Sequence, residues 1–419
     1  MRVRSWVRLR RPAVALIAVV SLLLGVVAVS GATPAGAASK GTYTFLYSGD
    51  FTGATMAYTQ AEVLGLKVAI KQINAKGGIQ GRKVVLETQN DQNNPTTAVS
   101  LLEQKLTSGQ KPDAMYPGGS SEVTQALLPI LTRNKILGVD ATSSDTLNNP
   151  KKYPYYFGDS ELSEQTVPPY VVEAKAKGYK KIGMIYGNDV SGQASMQGFK
   201  TAFEKAGMTF VSASFPDTAV DVTPQLEQLK AQNPDMVIFS GYGVPTLYIL
   251  KSRAQISWDA PFYGDLLSSA FPIATTMPAS SLHNVFVETT KAFVAGNPAA
   301  TGNPVLDKFV ADAKALGGQQ VLSNIGAGVT GVGYNALVIV NYAANQAKST
   351  DGATLAKTLE NLKKAKAPVP WVSYGSKSQF GNFYYTSKNH YPNVFPNGFI
   401  FVAPGTYNSD GLYVPGSGS

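Results

Sequence analysis

Short apolar segments alternate with amphipathic segments along most of the chain, beginning near residue 42. Thr42–Ser48 is rich in β-branched and aromatic residues, a composition that predicts a β-strand. Ala61–Asn74 follows with apolar side chains at helical spacing from Val63 to Ile73, which predicts an amphipathic helix. The glycine pair at 77–78 ends that helix, because glycine readily takes the positive φ of a helix C-terminus.

The same alternation continues in two series, of which the second begins near Asp159. Further strands are predicted over 82–89, 113–116, 135–139, 181–186, 209–215, 236–240, 261–264, 285–288 and 398–402, and further helices over 96–108, 121–134, 165–178, 193–206, 224–233, 246–255, 333–347 and 353–364. Alternating strands and helices specify parallel sheets with helices on both faces. The pattern therefore predicts an α/β protein with two similar, Rossmann-like lobes.

The length and composition agree with a folded protein of more than one domain. A chain of 419 residues exceeds the usual size of one core, and 44% hydrophobic with 15% charged residues is an ordinary globular composition. The formal net charge is +9, but five arginines lie within the first 38 residues, which contain no acidic residue. The rest of the chain is only mildly basic, without clustered charge, so we expect no nucleic-acid partner.

Side chains suited to catalysis or metal binding are scarce. The chain has no cysteine and only two histidines, His283 and His390, which lie far apart in the sequence. A thiol nucleophile and a disulfide are excluded, and a zinc or histidine-based site is hard to build. We therefore expect no catalytic residue, no metal and no cofactor, and we interpret the chain as a binding protein rather than an enzyme.

One glycine-rich segment, Gly326–Gly331, matches the GxGxxG pattern of dinucleotide-binding loops, with Asp351 at a fitting distance after it. The context does not fit, because no convincing strand precedes either the glycines or Asp351. We interpret the segment as a glycine-rich lead-in to the helix predicted at 333–347.

The first 38 residues are typical of a secretory signal peptide. Arginines from Arg2 to Arg11 form a basic region, Ala13–Val29 is apolar, and Ala35–Ala37 is a small-residue cleavage site. An uncleaved membrane anchor is the alternative, but the apolar run is short for a membrane span. Because no cysteine is present to carry a lipid, we expect an exported protein without a lipid anchor, in the periplasm or the extracellular or cell-wall space.

Two adjacent segments carry a family signature. Ala69–Arg82 has the sequence AIKQINAKGGIQGR, and Val84–Pro95 continues with VVLETQNDQNNP. They closely resemble the signature of the leucine/isoleucine/valine-binding protein family, the type I periplasmic binding proteins. The resemblance extends from about residue 42 to about residue 347, whereas the segment after 366 matches poorly.

This resemblance implies the type I periplasmic binding protein fold, in which two α/β lobes are joined by three hinge crossovers. Lobe 1 would comprise residues 40–157 and 290–390, and lobe 2 residues 158–289 and 391–410, followed by a flexible tail at 411–419. The resemblance also implies a monomer that captures an amino acid or similar small molecule by hinge closure and presents it to an ABC permease in the membrane.

The resemblance places candidate ligand-binding residues in loops that follow predicted strands. Ser120 and Ser121 open a helix and would bind the ligand carboxylate through hydroxyl and backbone N–H groups. Ala141 and Thr142 would hold the amino and carboxylate groups of the ligand. The alternative interpretation is that these residues cap a helix or form a turn, and a residue can cap a helix and bind the ligand at the same time.

Further candidates come from aromatic and acidic positions. Tyr58 would cover the ligand, with Phe51 as a nearby alternative, and Tyr242 matches a second aromatic residue of the family. Branched-chain amino-acid binders have a tyrosine next to the position of Asp189, and this chain lacks it. Asp265 follows a predicted strand and is the candidate partner for a ligand ammonium, with Asp189 as the fallback and a surface turn as the alternative interpretation.

These departures in the second lobe concern the ligand rather than the fold. Within the same fold, an amide, urea or an organic or aromatic acid is the alternative to a branched-chain amino acid. A ligand-binding module of a sensor and an exported enzyme are further alternatives, although neither a signalling domain nor a nucleophile–base pair is apparent in the sequence.

Overall fold

The computed structural model describes residues 41–216, 218–241, 243–361, 381–382, 385–394 and 396–417; the predicted signal peptide at 1–38 and Tyr242 lie outside these ranges. The strands are β1 (Thr42–Gly49), β2 (Lys83–Asn90), β3 (Ala114–Tyr116), β4 (Leu137–Asp140), β5 (Tyr156–Gly158), β6 (Lys181–Gly187), β7 (Thr209–Phe215), β8 (Met236–Ser240), β9 (Phe262–Gly264), β10 (Val285–Thr290), β11 (Gly381–Asn382), β12 (Asn393–Val394), β13 (Phe399–Val402), β14 (Thr406–Tyr407) and β15 (Tyr413–Val414). The helices are α1 (Met56–Asn74), α2 (Pro95–Thr107), α3 (Ser121–Asn134), α4 (Ser163–Lys177), α5 (Val190–Lys205), α6 (Thr223–Lys230), α7 (Pro245–Gln255), α8 (Leu266–Ser269), α9 (Ile273–Thr276), α10 (Pro304–Ala315), α11 (Gln319–Ala347) and α12 (Gly352–Leu359).

The longer strands form two sheets, each at the centre of one lobe. The first sheet has the order β2-β1-β3-β4-β5 and is parallel throughout. The second has the order β13-β10-β9-β8-β6-β7, in which β13 alone of the described strands runs antiparallel. The chain enters the second sheet after β5, returns after β10 to add α10–α12 to the first lobe, and reaches the second sheet again at β13. The predicted fold of two Rossmann-like α/β lobes is confirmed.

Helices α1 and α11 pack closely together in the core of the first lobe. A Cβ atom on Gly65 would lie 2.0 Å from the carbonyl oxygen of Thr330, and one on Gly333 would lie 2.0 Å from that of Glu62. Only glycine permits this approach. By length and composition α11 could span a membrane, but 72% of its most apolar window is buried inside the protein, as expected of a core helix.

The structure corrects the interpretation of the glycine-rich segment. Helix α11 begins at Gln319 rather than at 333, so Gly326–Gly331 lies within it. The helix is interrupted at Gly326, where φ is 90° and ψ is 161°, a conformation that is strained for residues with a side chain. Glycine residues disfavour a helix, but packing of this segment against α1 outweighs that unfavourable propensity.

Residues 411–417, the described part of the predicted flexible tail, include a strand. Tyr413–Val414 forms β15, which pairs with β14. The Tyr413 ring is only 2% exposed and packs into the core of the second lobe, so burial of a large aromatic side chain orders this segment. The carbonyl oxygen of Tyr413 also accepts a hydrogen bond from the amide of Ala295 at 2.8 Å.

Candidate functional site

A cavity of about 450 Å³ lies between the two sheets, at the carboxyl ends of their parallel strands. Ligands of open α/β sheets bind at this edge, because loops and helix N-termini converge there. The polar and acidic residues of its lining include Thr55, Glu62, Asn93, Tyr116, Ser120, Ser121, Glu122, Thr142, Ser143, Ser160, Glu161, Asp189, Ser191, Thr218, Ser269, Thr289 and Thr290. The apolar and aromatic residues include Tyr58, Phe215, Ala219, Val220, Tyr248, Leu266, Leu267, Ala270, Phe293, Val329, Val332 and Tyr407.

The structure brings most of the predicted site residues together at this cavity. The ones that line it are Tyr58, Ser120, Ser121, Ala141, Thr142 and Asp189. Asp265 is not among the described lining residues, and Tyr242 lies outside the described part of the chain.

Ser120 presents a buried hydroxyl next to the start of α3. Its backbone is extended, as in an N-cap, but its side chain makes no capping hydrogen bond. The Oγ atom is buried and has no hydrogen-bond partner among the described residues. Ser121 follows as the first helical residue, where backbone N–H groups lack intrahelical acceptors. This corner of the cavity therefore offers hydrogen-bond donors to an anionic group.

Thr142, in contrast, has a hydroxyl that is already engaged. Its Oγ1 donates to Asp140 Oδ1 at 2.7 Å and lies 2.7 Å from the hydroxyl oxygen of Tyr156. The hydroxyl is thus engaged by Asp140 and Tyr156 and is poorly placed to donate to a ligand, whereas Oγ1 can still accept a hydrogen bond. The neighbouring carbonyl of Ala141 accepts from Ser160 Oγ at 2.9 Å. This geometry suits an ammonium or amide N–H better than a carboxylate.

Buried carboxyl groups lie on the same side of the cavity. Burial raises the pKa of Glu62 from 4.5 to about 8, against the opposing effect of a hydrogen bond donated by the Tyr47 hydroxyl at 2.6 Å. Burial also raises the pKa of Asp140 and, more strongly, that of Asp159. Both oxygens of Asp159 lack a hydrogen-bond partner among the described residues.

The described lining contains no lysine, arginine or histidine. Its acidic residues include Glu62 and Glu161, and a lone anion would find no basic side chain to pair with in the described lining. A ligand that carries a positive or neutral polar group beside these carboxyls is therefore favoured over a purely anionic one.

Asp265 is satisfied within its own lobe. Its Oδ1 accepts from the amide and hydroxyl of Ser268 at 3.1 and 2.9 Å, and its Oδ2 accepts from the hydroxyl of Ser240 at 2.5 Å. These contacts place Asp265 at the N-cap of the short helix α8. The geometry favours a capping role over direct contact with a ligand ammonium.

Hydrogen bonds join the two lobes at the cavity. Glu122 Oε1, on α3, accepts from the amide of Val190 at 2.7 Å. The Tyr58 hydroxyl, on α1, donates to the carbonyl oxygen of Leu267 at 3.3 Å. Asp189 accepts from the amide of Gly192 at 2.6 Å and so caps α5 beside the first of these bonds. The contacts connect residues that lie on opposite sides of the cavity.

Sequence reasoning missed several residues of the lining. Glu62 had a detectable signal, because it lies one helical turn after Tyr58 and therefore on the same face of α1. Phe293 and Tyr407 had no local signal, since they reach the cavity from segments distant in the chain.

Comparisons with known proteins agree with this geometry. A family model described as periplasmic binding protein matches residues 42–389. The Leu/Ile/Val-binding protein of Citrobacter freundii is 24% identical over 346 residues, which cover 79% of this chain and 87% of that protein. The Leu/Ile/Val-binding protein homolog 3 of Brucella melitensis is 26% identical over 197 residues; the match covers 46% of this chain and spans about half, 52%, of that relative.

A solved structure shows the same fold. The solute binding protein of an ABC transporter from Rhodopseudomonas palustris BisB5, in complex with 3,4-dihydroxy benzoic acid, superposes with a TM-score of 0.67 and 17% sequence identity. The superposition covers 89% of this chain and 95% of that chain.

Proposed function

Because the chain belongs to the periplasmic binding protein family, we propose that it is an exported solute-binding protein that captures a small zwitterion, an α-amino acid or close relative, for an ABC importer. The family binds solutes and does not convert them. The observation that carries the choice of ligand is the buried, unpartnered hydroxyl of Ser120 beside the start of α3, in a cavity whose described lining holds acidic but no basic side chains.

The carboxylate of the ligand would bind at the start of α3. The Ser120 hydroxyl and the first backbone N–H groups of the helix are donors, and the positive end of the helix dipole favours an anion there. A hydroxyl that is buried without a partner costs free energy, so a ligand oxygen at this point removes a penalty as well as adding a contact.

The ammonium would bind on the side of Thr142 and the carboxyls. Thr142 Oγ1 can accept a hydrogen bond, and Glu161 supplies negative charge in the lining. Asp265, which the sequence favoured for this role, is bonded to Ser240 and Ser268 instead. We therefore assign the ammonium to the Thr142–Glu161 side of the cavity and a capping role to Asp265.

The interlobe hydrogen bonds supply a means of closure. A ligand that touches both lobes stabilises the arrangement in which Glu122 reaches Val190 and Tyr58 reaches Leu267. A permease that recognises this arrangement would accept loaded protein only. Support for export comes from the family and from the signal-peptide pattern of residues 1–38.

An aromatic or other organic acid is the second candidate. The relative from Rhodopseudomonas palustris was solved with 3,4-dihydroxy benzoic acid, and aromatic side chains such as Phe293 and Tyr407 line the cavity of this chain. Such a ligand would use the same donors at Ser120, but it has no positively charged group to place beside Glu161.

Mass spectrometry of the molecule released when natively purified protein is denatured tests the proposal. We expect a small amino acid or close relative, present at roughly one per protein and chemically unaltered. A released acid without an amino group would favour the second candidate, and recovery of an altered product after incubation with a supplied solute would contradict a binding function.

A further inference from the structure

The C-terminal hairpin β14–β15 reaches the cavity from a distant part of the chain. The turn at 408–412 is held by Asn408, whose Oδ1 accepts from the amides of Asp410 and Leu412. Across the hairpin, Tyr407 pairs with Tyr413, and their rings meet edge to face with centroids 5.2 Å apart. Tyr407 lines the cavity, although the sequence pattern gave no reason to place it there.

The hairpin is attached to both lobes. On the side of the first lobe, the carbonyl oxygen of Gly411 accepts from the amide of Ala327 at 2.8 Å, and Asp410 pairs with Lys314 at 2.5 Å. On the side of the second lobe, the Tyr407 hydroxyl donates to the carbonyl oxygen of Ser269 at 2.7 Å. The ring of Tyr407 is therefore fixed at both of its ends.

The interruption of α11 provides the space for this ring. A Cβ atom on Gly326 would lie 2.3 Å from Cε1 of Tyr407, so no larger residue fits at that position. The backbone at the interruption stays satisfied, because the carbonyl oxygen of Gly326 accepts from Thr330 Oγ1 at 2.7 Å and the amide of Ala327 donates to Gly411. The glycine-rich segment thus serves to admit an aromatic side chain rather than to bind a phosphate.

The surroundings of the ring are apolar on the cavity side. Val329 and Val332, from the part of α11 that follows the interruption, line the cavity together with Ala270 and Phe293. These four residues have no charged or polar side chain among them.

We propose that Tyr407 is a specificity-determining residue, which limits the size of the apolar side chain that the bound solute can carry. The proposal rests on the proposed function, since it concerns the side chain of the same ligand. The fixed ring forms a wall that a compact aliphatic side chain can contact and that a longer aryl side chain cannot pass.

Leucine and phenylalanine are suitable probes, because they share both α groups and differ only in the apolar side chain. Calorimetry on refolded, ligand-free protein gives the ratio of their dissociation constants for the parent and for Tyr407→Ala. We expect removal of the ring to shift this ratio toward phenylalanine by about ten-fold or more, because apolar fit discriminates side chains on this scale. Tyr407→Phe, which keeps the ring but loses the hydrogen bond to Ser269, should shift the ratio less than Tyr407→Ala does.

Both dissociation constants are measured on the same variant, so their ratio does not depend on how much of that variant is folded. Val414→Ala is the matched control, because Val414 is an exposed residue of the same hairpin and not among the described lining. If Tyr407→Ala does not fold, Tyr407→Leu carries the same expectation. An unchanged ratio in a folded small-side-chain variant overturns the role of Tyr407 alone. A parent protein that binds neither probe overturns this inference, and one that binds no α-amino acid at all overturns the amino-acid proposal as well.

Discussion

The carboxylate of Glu122 on α3 accepts a hydrogen bond from the backbone amide of Val190 on α5 at 2.7 Å, and this bond joins one lobe to the other at the edge of the cavity. The amide belongs to the first residue of α5, where the helix dipole favours a negative charge. The contact depends on the relative position of the lobes, because α3 belongs to the first lobe and α5 to the second.

Glu122→Ala should therefore weaken ligand binding without unfolding the protein. We expect about a ten-fold higher dissociation constant, since a hydrogen bond to a charged group contributes about 1.5–3 kcal/mol and water replaces part of it. Calorimetry with the ligand identified by mass spectrometry measures the change. Glu103→Ala is the control, because Glu103 forms only an exposed ion pair with Arg133; equal affinities for all three proteins would show that the interlobe bond does not support closure.

Ser120→Ala tests the carboxylate end of the ligand. We expect a ten- to hundred-fold loss of affinity, roughly the value of one hydrogen bond to a charged group. Stability of the ligand-free protein should not fall, because the hydroxyl has no partner to lose. Ser108→Ala, at the exposed end of α2, is the control for both measurements. A stability loss in Ser120→Ala with unchanged affinity would support structural capping instead.

Asp265→Ala separates capping from ligand contact. We expect a loss of about 1–2 kcal/mol in the free energy of unfolding, the usual cost of removing an N-cap carboxylate, and an affinity within about two-fold of the parent. Asp351→Ala is a matched control, since Asp351 caps α12 by accepting from the amide of Thr354. If Asp265→Ala weakens ligand binding much more than it lowers stability, Asp265 contacts the ligand ammonium, as the sequence suggested.

The contrast between Asp265 and Ser120 shows how far sequence reasoning reaches. Strand–helix alternation predicted most elements, and the bounds of α3, β7 and β8 agree residue for residue with the structure. Hydroxyl and acidic residues that follow strands in the sequence lie near the carboxyl ends of the sheets in the structure. Their hydrogen-bond partners could not be predicted, because a capping aspartate and a ligand-binding aspartate occupy the same position in sequence.

Other parts of the site depend on contacts between distant segments. Strand β5 has only three residues, too few for a periodic pattern, and α10 was not predicted. Tyr407 and Gly326 are separated by many residues, and only the folded chain shows that one makes room for the other. The function of the glycine-rich segment therefore became apparent only from the structure.

The raised pKa of Glu62 predicts a pH-dependent stability. Burial raises this pKa from 4.5 to about 8, so the folded protein retains a proton that the unfolded chain loses in that range. The contribution of Glu62 to the free energy of unfolding is full below about pH 4.5 and decreases as the pH rises toward 8. Glu62→Gln removes this decrease.

Urea denaturation of the parent and of Glu62→Gln at pH 5 and pH 8 measures the effect. The variant should gain stability relative to the parent between the two pH values, by up to a few kcal/mol. Asp140 and Asp159 titrate in both proteins, so the difference between the proteins reports Glu62 together with its electrostatic interaction with these two groups. Glu103→Gln serves as an exposed control, and an equal difference at both pH values would show that Glu62 is ionised throughout.

The central claim is that the cavity binds a zwitterion, with its carboxylate at Ser120 and its ammonium beside Thr142 and the buried carboxyls. Calorimetric titration of refolded, ligand-free protein with a set of α-amino acids and their deamino analogues tests it most directly. We predict one-to-one binding of at least one amino acid, and at least about ten-fold weaker binding of the analogue that lacks the ammonium, because the contacts of the ammonium with Thr142 and beside Glu161 are then lost. Equal or tighter binding of the deamino acid, or no binding of any amino acid, would contradict the account.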